Sequence, residues 1–180
     1  MKRTMQLLGR VVILGLVVAL MAGIGIAAQS KAATSMPPSA GQAVVEEYFS
    51  SVLSKADAAA AEAILAPGFQ RTDRSQAGAT LGAAGVMFLA NYQLSAFADL
   101  HYTIDDLVVE GDHVAVCWTA TGTQSGEYGA VAANGKPVKW TGMSFFQLQN
   151  GKIAAEEANF EELSEVLAAE DLRISPSYAE

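Results

Sequence analysis

The sequence predicts an α+β domain in which helices pack on one face of a curved antiparallel sheet. Apolar residues recur at helical spacing in the first part of the domain and at alternate positions in the second part. Helices followed by a run of strands are typical of this fold class. The strongest single signal is Asn150-Gly151, because a type I′ hairpin turn needs positive φ at both central residues. A chain of 180 residues is long enough for one such domain with a sizeable core.

The N-terminal residues have the pattern of a targeting segment. Basic residues come first, an apolar run covers 11–28, and small and polar residues follow over 29–35. This order is typical of a secretory signal peptide, although the apolar run is almost long enough to span a bilayer. Residues 1–32 are therefore predicted to be either a cleaved signal peptide or an uncleaved membrane anchor. Either way the domain is exported: it is secreted or periplasmic after cleavage, or held at the membrane by this segment alone.

The rest of the chain is expected to form one acidic domain with short flanks. Residues 33–41 form a linker, residues 42–172 the domain, and residues 173–180 a tail. All 19 acidic residues follow position 32, where only seven basic residues remain, so this part carries a formal charge of about −12. Such a surface repels phosphate backbones, and no cluster of Lys and Arg offsets it. Nucleic acid is therefore not expected as a partner.

The domain begins with two predicted helices. Ala40–Lys55 carries an apolar stripe at helical spacing, with its acidic residues off the stripe. Asp57 can cap a second, alanine-rich helix that runs through Leu65. Pro67-Gly68 ends this helix, because proline cannot continue it and glycine readily adopts positive φ.

A third helix and the strands follow. Residues 69–75 are predicted to be a short irregular or extended piece, and residues 86–97 a helix. His101–Glu110 and His113–Thr123 alternate apolar and polar residues, as strands with one buried face do. A loop rich in glycine and small residues then leads to the long hairpin around the Asn-Gly turn. A short acidic helix over 161–170, with its leucines inward, closes the domain.

Signatures of metal, nucleotide and disulfide sites are missing from the sequence. Cys117 is the only cysteine, which rules out an intramolecular disulfide and a cysteine-rich zinc site. It is expected to be a small apolar residue within a strand. No His and carboxylate pattern with metal-ligand spacing occurs, and no glycine loop follows a strand. We therefore expect neither a metal nor a cofactor.

Two stretches carry a family resemblance: DLHYTIDDLVVEGDHVAVCWTATGT over 99–123 and GKPVKWTGMSFFQLQNGKI over 135–153. Together they resemble the SnoaL-like polyketide cyclases of the nuclear transport factor 2-like superfamily, and the resemblance covers Val44 to Leu167. It implies a cystatin-like conical half-barrel in which three helices close a deep apolar pocket. It also implies a homodimer that forms through the outer face of the sheet.

The resemblance also implies where acid/base chemistry would occur. Members of the family close a polyketide ring by an intramolecular aldol reaction, with a His-Trp-Asp-like triplet at the start of the last strand. That triplet falls on Glu156–Ala158, so alanine stands at the position of the aspartate and cannot accept a proton. The segment that often carries a His-Asp pair is Arg71–Asp73 in this chain. Glu156 and Asp73 are therefore the candidate catalytic acids or bases.

The hairpin register bears on which carboxylate faces inward. If the turn has two residues, Gln149 pairs with Lys152, and counting outward sets Glu156 opposite Phe145 and on the same face as Met143. Periodicity alone leaves the inward face open, and a bulge would reverse the assignment. The resemblance places the first and third triplet positions in the pocket, which favours Glu156. The alternative is that Glu156 belongs to a solvated strand end.

Aromatic and sulfur-containing side chains are the candidates for a ligand-binding pocket, with ordinary core packing as the alternative. They are Tyr48, Phe88, Tyr92, Trp118, Met143 and Phe145. Three functions follow from these patterns. The first is an enzyme of the lyase, isomerase or cyclase type that moves a proton on a small carbonyl compound. The second is a binding module for a small apolar ligand that has lost the acid/base group. The third is a domain that acts through its dimer surface.

Overall fold

The computed structural model describes residues 38–75 and 79–161, together with Leu163, Val166 and Leu167. The predicted signal or anchor segment, 1–32, and the predicted tail lie outside these residues. Among the residues that the structure describes, no helix is long and apolar enough to cross a membrane.

Helices come first along the chain and strands follow, as the sequence predicts. The helical segments are α1 (Pro38–Glu47), a π-helix (Tyr48–Leu53), α2 (Ala58–Ile64) and α3 (Ala83–Ala96). The strands are β1 (Leu65–Asp73), β2 (Ala79–Leu81), β3 (His101–Glu110), β4 (His113–Thr123), β5 (Pro137–Gln149) and β6 (Lys152–Phe160). The six strands form one curved, unclosed sheet in the order β2-β1-β6-β5-β4-β3. The fold class is therefore α+β, as predicted.

The sheet is mixed, because β1 pairs with β6 in parallel while its other pairs are antiparallel. The expectation of a purely antiparallel sheet was wrong in this respect. Of the two alternatives for 69–75, irregular or extended, the extended one is confirmed for 69–73, but the strand is longer than expected and already starts at Leu65. Parallel neighbours need a long connection, and here the chain forms β2 to β5 between the two strands. That long connection hides the pairing from local sequence patterns.

The second helix begins as predicted. Asp57 is its N-cap, and the carboxylate accepts hydrogen bonds from the backbone N–H groups of Ala59 and Ala60, at 2.9 and 3.0 Å. These bonds satisfy donors that the first turn of a helix otherwise leaves unpaired. The helix ends at Ile64, and Leu65 is already extended.

The long hairpin turns where the sequence predicts but shifts register two residues later. Asn150 and Gly151 both have positive φ, 52° and 79°, as a type I′ turn requires. Gln149 pairs with Lys152 as expected. An irregularity then follows in β6, so that Glu156 lies opposite Phe146 rather than the residue before it. The register expected beyond this point was therefore wrong, because a bulge moves every following side chain to the other face.

The core lies between the helices and the inner face of the sheet. Alternate residues of β4 and β5 point inward, as the period of two predicts. They are Val114, Val116, Trp118, Ala120, Val138, Trp140, Ser144, Phe146 and Leu148. Each large apolar side chain in this set contributes about 1.5–3 kcal/mol by leaving water. Leu163 and Leu167 are buried and Val166 is half-buried, in agreement with the inward side chains predicted for 161–170.

Candidate functional site

The inner faces of β1 and β6 carry the charged residues of the interior. In the parallel ladder Arg71 is the neighbour of Glu156, and Asp73 is the neighbour of Ala158. Glu156 is 1% exposed and Arg71 5%, and Asp73 is also buried. Residues of these types are rarely buried unless they are paired or hydrogen-bonded. One cation and two carboxylates therefore lie close together beneath the helices.

Both carboxylate oxygens of Glu156 accept hydrogen bonds from neutral donors. Tyr48 Oη donates to Oε2 at 2.6 Å, and Ser144 Oγ donates to Oε1 at 2.8 Å. Trp118 Nε1 donates in turn to Ser144 Oγ at 3.1 Å. The donors come from the π-helix, β5 and β4, so three elements hold this carboxylate in one orientation. Buried polar networks of this kind fix side-chain geometry when every member is satisfied.

Tyr48 reaches Glu156 from the first position of the π-helix. Helical segments of this type are rare and occur frequently at functional sites. Burial raises the pKa of the Tyr48 phenol well above its ordinary value, and the nearby charge of Glu156 raises it further. The phenol therefore stays protonated at neutral pH and donates to Glu156.

Arg71 lies next to this carboxylate but is held loosely. Its Nε is 3.7 Å from Glu156 Oε2, beyond the usual length of a charge-assisted hydrogen bond. Nε is buried and has no hydrogen-bond partner among the residues that the structure describes. Burial alone would lower the pKa of Arg71, but the charge of Glu156 outweighs it and the pKa lies above its ordinary value. The guanidinium is therefore a permanent buried cation, with Cζ 5.8 Å from the ring centroid of Phe160.

Asp73 lies two residues beyond Arg71 in β1, on the same inner face. Its Oδ1 accepts hydrogen bonds from the backbone N–H of Ser75, at 2.9 Å, and from Ser75 Oγ. Its neighbour Ala158 is fully buried. The second carboxylate thus stands beside the position where the resemblance places the aspartate of the family.

Tyr48 and Trp118 are the two predicted ligand-binding residues that lie within this interior network. Met143 and Phe145 point the other way: they lie on the outer face of the sheet and are 60% and 49% exposed. The prediction had placed them on the face of Glu156, and the bulge in β6 is the reason it does not hold.

Phe88 and Tyr92 lie on α3 and not beside the two carboxylates. The two rings stack, with centroids 6.4 Å apart and planes 3° from parallel. Phe88 is exposed, while Tyr92 is half-buried and its Oη accepts a hydrogen bond from the backbone N–H of Gly129 at 2.6 Å. Tyr92 therefore helps to hold the loop between β4 and β5.

Two members of the network were not among the predicted site residues. Ser144 is a polar residue in the inward run of β5, and that isolated hydroxyl in an apolar pattern was a usable signal. Arg71 stood in the segment compared with the His-Asp pair of the family, but no local pattern shows that it is buried. Within the described part of the chain, no group of three or more His, Cys, Asp or Glu residues could hold a metal ion.

Comparison with known proteins supports the fold. A family model described as SnoaL-like polyketide cyclase matches residues 43–168. No relative was found among curated proteins.

Solved structures share the fold at low identity. AclR, a proposed hydroxylase from Streptomyces galilaeus, is 19% identical; the match covers 77% of this chain and all of AclR, with a TM-score of 0.65. IdmH, a proposed polyketide cyclase from Streptomyces antibioticus, is 20% identical over 72% of this chain and 96% of its own, with a TM-score of 0.63. TsrD from Streptomyces laurentii is 24% identical over 74% and 98%, with a TM-score of 0.64. At these identities the likeness shows the fold alone.

Proposed function

Because this chain belongs to the SnoaL-like polyketide cyclase family, we propose that its exported domain binds a small carbonyl compound and moves a proton on it, in a cyclase, isomerase or lyase type of reaction without a cofactor. The observation that carries the proposal is the buried group on β1 and β6, where Glu156 and Asp73 flank an arginine. Carboxylates enclosed by protein are well suited to general acid/base work when a substrate reaches them. The pocket for that substrate remains a prediction.

The two carboxylates have different surroundings, which favours different roles. Both oxygens of Glu156 already accept hydrogen bonds, so this residue is suited to positioning Tyr48 and Arg71. Asp73 is the neighbour of Ala158, whose methyl group takes the place of the aspartate in the family pattern. The carboxylate of Asp73, on the adjacent strand, can accept the proton in place of the missing aspartate. We therefore assign the proton transfer to Asp73 and a supporting role to Glu156.

The proposed reaction begins with removal of a proton from the carbon next to a carbonyl group. The carbon–hydrogen bond breaks, the proton passes to the carboxylate of Asp73, and the electron pair forms an enolate. The enolate then attacks a second carbonyl of the same molecule or takes the proton back at another carbon. Return of the proton from Asp73 completes either course, so the carboxylate is regenerated.

The experiment is a screen of the full-length protein against small carbonyl and polyketide-like compounds, by native mass spectrometry and thermal shift with product analysis. The Asp73→Asn variant is expected to keep ligand binding and to lose about 10²–10⁴-fold in product formation. Glu157→Gln is the matched control, because Glu157 is the exposed neighbour of Glu156 and pairs with Arg74 at the surface. Full turnover in both Asp73→Asn and Glu156→Gln would contradict the proposed chemistry.

A binding module without catalysis is the second candidate function. It is favoured by Ala158, which removes the acid/base group of the family pattern, and by the satisfied hydrogen bonds of Glu156. This candidate predicts that ligand affinity is unchanged in Asp73→Asn and that no compound in the screen is converted. The same experiment therefore separates the two functions.

We also propose that the domain forms a homodimer through the outer face of its sheet. Val108, Ala115 and Phe145 lie in one row across β3, β4 and β5, with Cys117 and Met143 in the row beside it. The valine, the phenylalanine and the methionine of this patch are among the large apolar side chains that are exposed. Apolar patches of this kind are typical of protein interfaces.

The dimer proposal predicts that Phe145→Glu converts a dimer to a monomer at micromolar concentration, because it sets a charge within the apolar interface. Size exclusion with light scattering measures the mass. Phe88→Glu is the matched control, since Phe88 is also an exposed phenylalanine but lies on α3. A parent protein that is already monomeric would show that the proposal is wrong.

A further inference from the structure

We propose that Arg71 binds the carbonyl oxygen of the ligand and stabilises the negative charge that develops there, so that the substrate is a neutral, enolisable carbonyl compound. This inference rests on the proposed function for its substrate class.

The hydrogen-bonding capacity of Arg71 is not used by its ion pair. A guanidinium has five N–H donors in a planar fork. Its ion-pair partner Glu156 has Oε2 3.7 Å from Nε, and the two oxygens of that carboxylate accept hydrogen bonds from Tyr48 and Ser144 instead. Within the described residues, Nε is a buried donor without a partner. Burying such a donor costs stability, so a site for an acceptor oxygen accounts for it.

The charges around Arg71 favour a neutral ligand over an anionic one. The groups that act on it are Glu156 from β6, Tyr48 from the π-helix and Tyr102 from β3, and Asp73 is the next buried residue of its own strand. Burial raises the pKa of both phenols, so both stay neutral at physiological pH. Two carboxylates then stand against one cation. A ligand that arrived as a carboxylate would add a third negative charge and would be repelled.

Proton transfer within this group leaves its total charge unchanged. When the carbon–hydrogen bond of the substrate breaks, the proton neutralises Asp73 and the electron pair moves onto the substrate as an enolate. The negative charge therefore passes from the carboxylate to the enolate oxygen beside Arg71. A fixed cation aimed at an oxygen that gains charge lowers the barrier without reorganisation. The ring of Phe160, 5.8 Å from Cζ, lies against the guanidinium and favours its charged form there.

The test uses 4-nitrophenol, a planar acid whose anion is coloured and resembles an enolate. It is titrated with pH in full-length Asp73→Asn, in which the amide stands in for the protonated carboxyl. Because Arg71 faces the bound oxygen, the probe is expected to ionise at a pH about one to three units lower than in water. When Arg71→Gln is added to Asp73→Asn, the preference for the bound anion should fall at least tenfold. Adding Arg74→Gln, which removes a surface arginine, should leave it unchanged.

Each outcome decides the inference separately from the proposed function. If the probe ionises as in water in Asp73→Asn, or if it shows no saturable binding, the role of Arg71 is wrong, and this holds even where Arg71→Gln fails to fold. An equal shift with and without Arg71→Gln also overturns it. If the shift depends on Arg71 but no carbonyl compound is converted by the parent, the anion site stands and the catalytic function fails. If the parent converts a carbonyl compound but the probe shows no shift, the catalytic function stands and the role of Arg71 is wrong.

Discussion

Replacing Arg71 by Met is expected to lower the free energy of unfolding by about 3–5 kcal/mol, because it leaves the carboxylate of Glu156 buried without a counter-charge. The hydrogen bonds from Tyr48 and Ser144 remain, but they do not replace the cation. The double variant Arg71→Met/Glu156→Gln removes both charges and keeps an acceptor for the network. It is expected to recover most of the loss. Urea unfolding of the parent and the variants measures these differences.

The surface pair of Arg74 and Glu157 is the matched control for this prediction. Arg74 Nη2 and Glu157 Oε2 are only 2.9 Å apart, but both side chains are more than half exposed. Exposed ion pairs contribute about 0–1 kcal/mol, so Arg74→Met should cost little although its pair is the shorter one. A cost for Arg71→Met no larger than that of Arg74→Met would show that the interior pair is not energetically coupled.

Gly142→Ala is expected to destabilise the domain by about 1–3 kcal/mol or more, because the inner face of β5 has no space for a methyl group at this position. An added Cβ would overlap Trp118 Cζ2 and would lie 2.7 Å from the Cβ of Phe160. Both neighbours would have to move. Since Trp118 donates to Ser144, the displacement would also disturb the hydrogen bond that orients Glu156. The variant should therefore lose both stability and ligand affinity.

Gly82→Ala serves as the control for the added methyl group. Its Cβ would meet nothing nearer than the carbonyl oxygen of Phe69, at 3.8 Å, which is an ordinary contact. Gly82 is the N-cap of α3, and alanine is a weaker N-cap, so a cost of at most about 1 kcal/mol is expected. Thermal unfolding of the two variants gives the comparison. Equal melting temperatures for Gly142→Ala and Gly82→Ala would contradict the packing argument.

The strands β3 and β4 were predictable because each buries one face, and alternation then marks both the strand and its inward side. Leu65–Asp73 shows where this reasoning fails. Pro67 and Gly68 interrupt any period within it, and its strand conformation depends on pairing with β6. Strand propensity is weak compared with such tertiary pairing. The first strand and the mixed character of the sheet therefore could not come from local patterns.

The two carboxylates of the candidate site were predictable, but the rest of its members and the contacts between them were not. Family resemblance pointed to Glu156 and Asp73, and the structure places both on the inner face. The hydrogen bond between Tyr48 and Glu156 joins residues 108 positions apart in the chain. No local pattern in a single sequence predicts a contact over such a separation. The outward direction of Phe145 depends on the bulge in β6, and Phe145-Phe146 has an aromatic ring for either face.

The parallel pairing of β1 with β6 determines when the charged group is assembled during synthesis. The charged group spans this ladder, so it draws on both the beginning and the end of the domain. During synthesis the chain leaves the ribosome with its N-terminus first, so Arg71 and Asp73 emerge before Glu156. Contacts of such high sequence separation form slowly, because a long loop must close before they are made. The charged group is therefore incomplete until the last strand is in place, and a fragment that ends before β6 lacks Glu156.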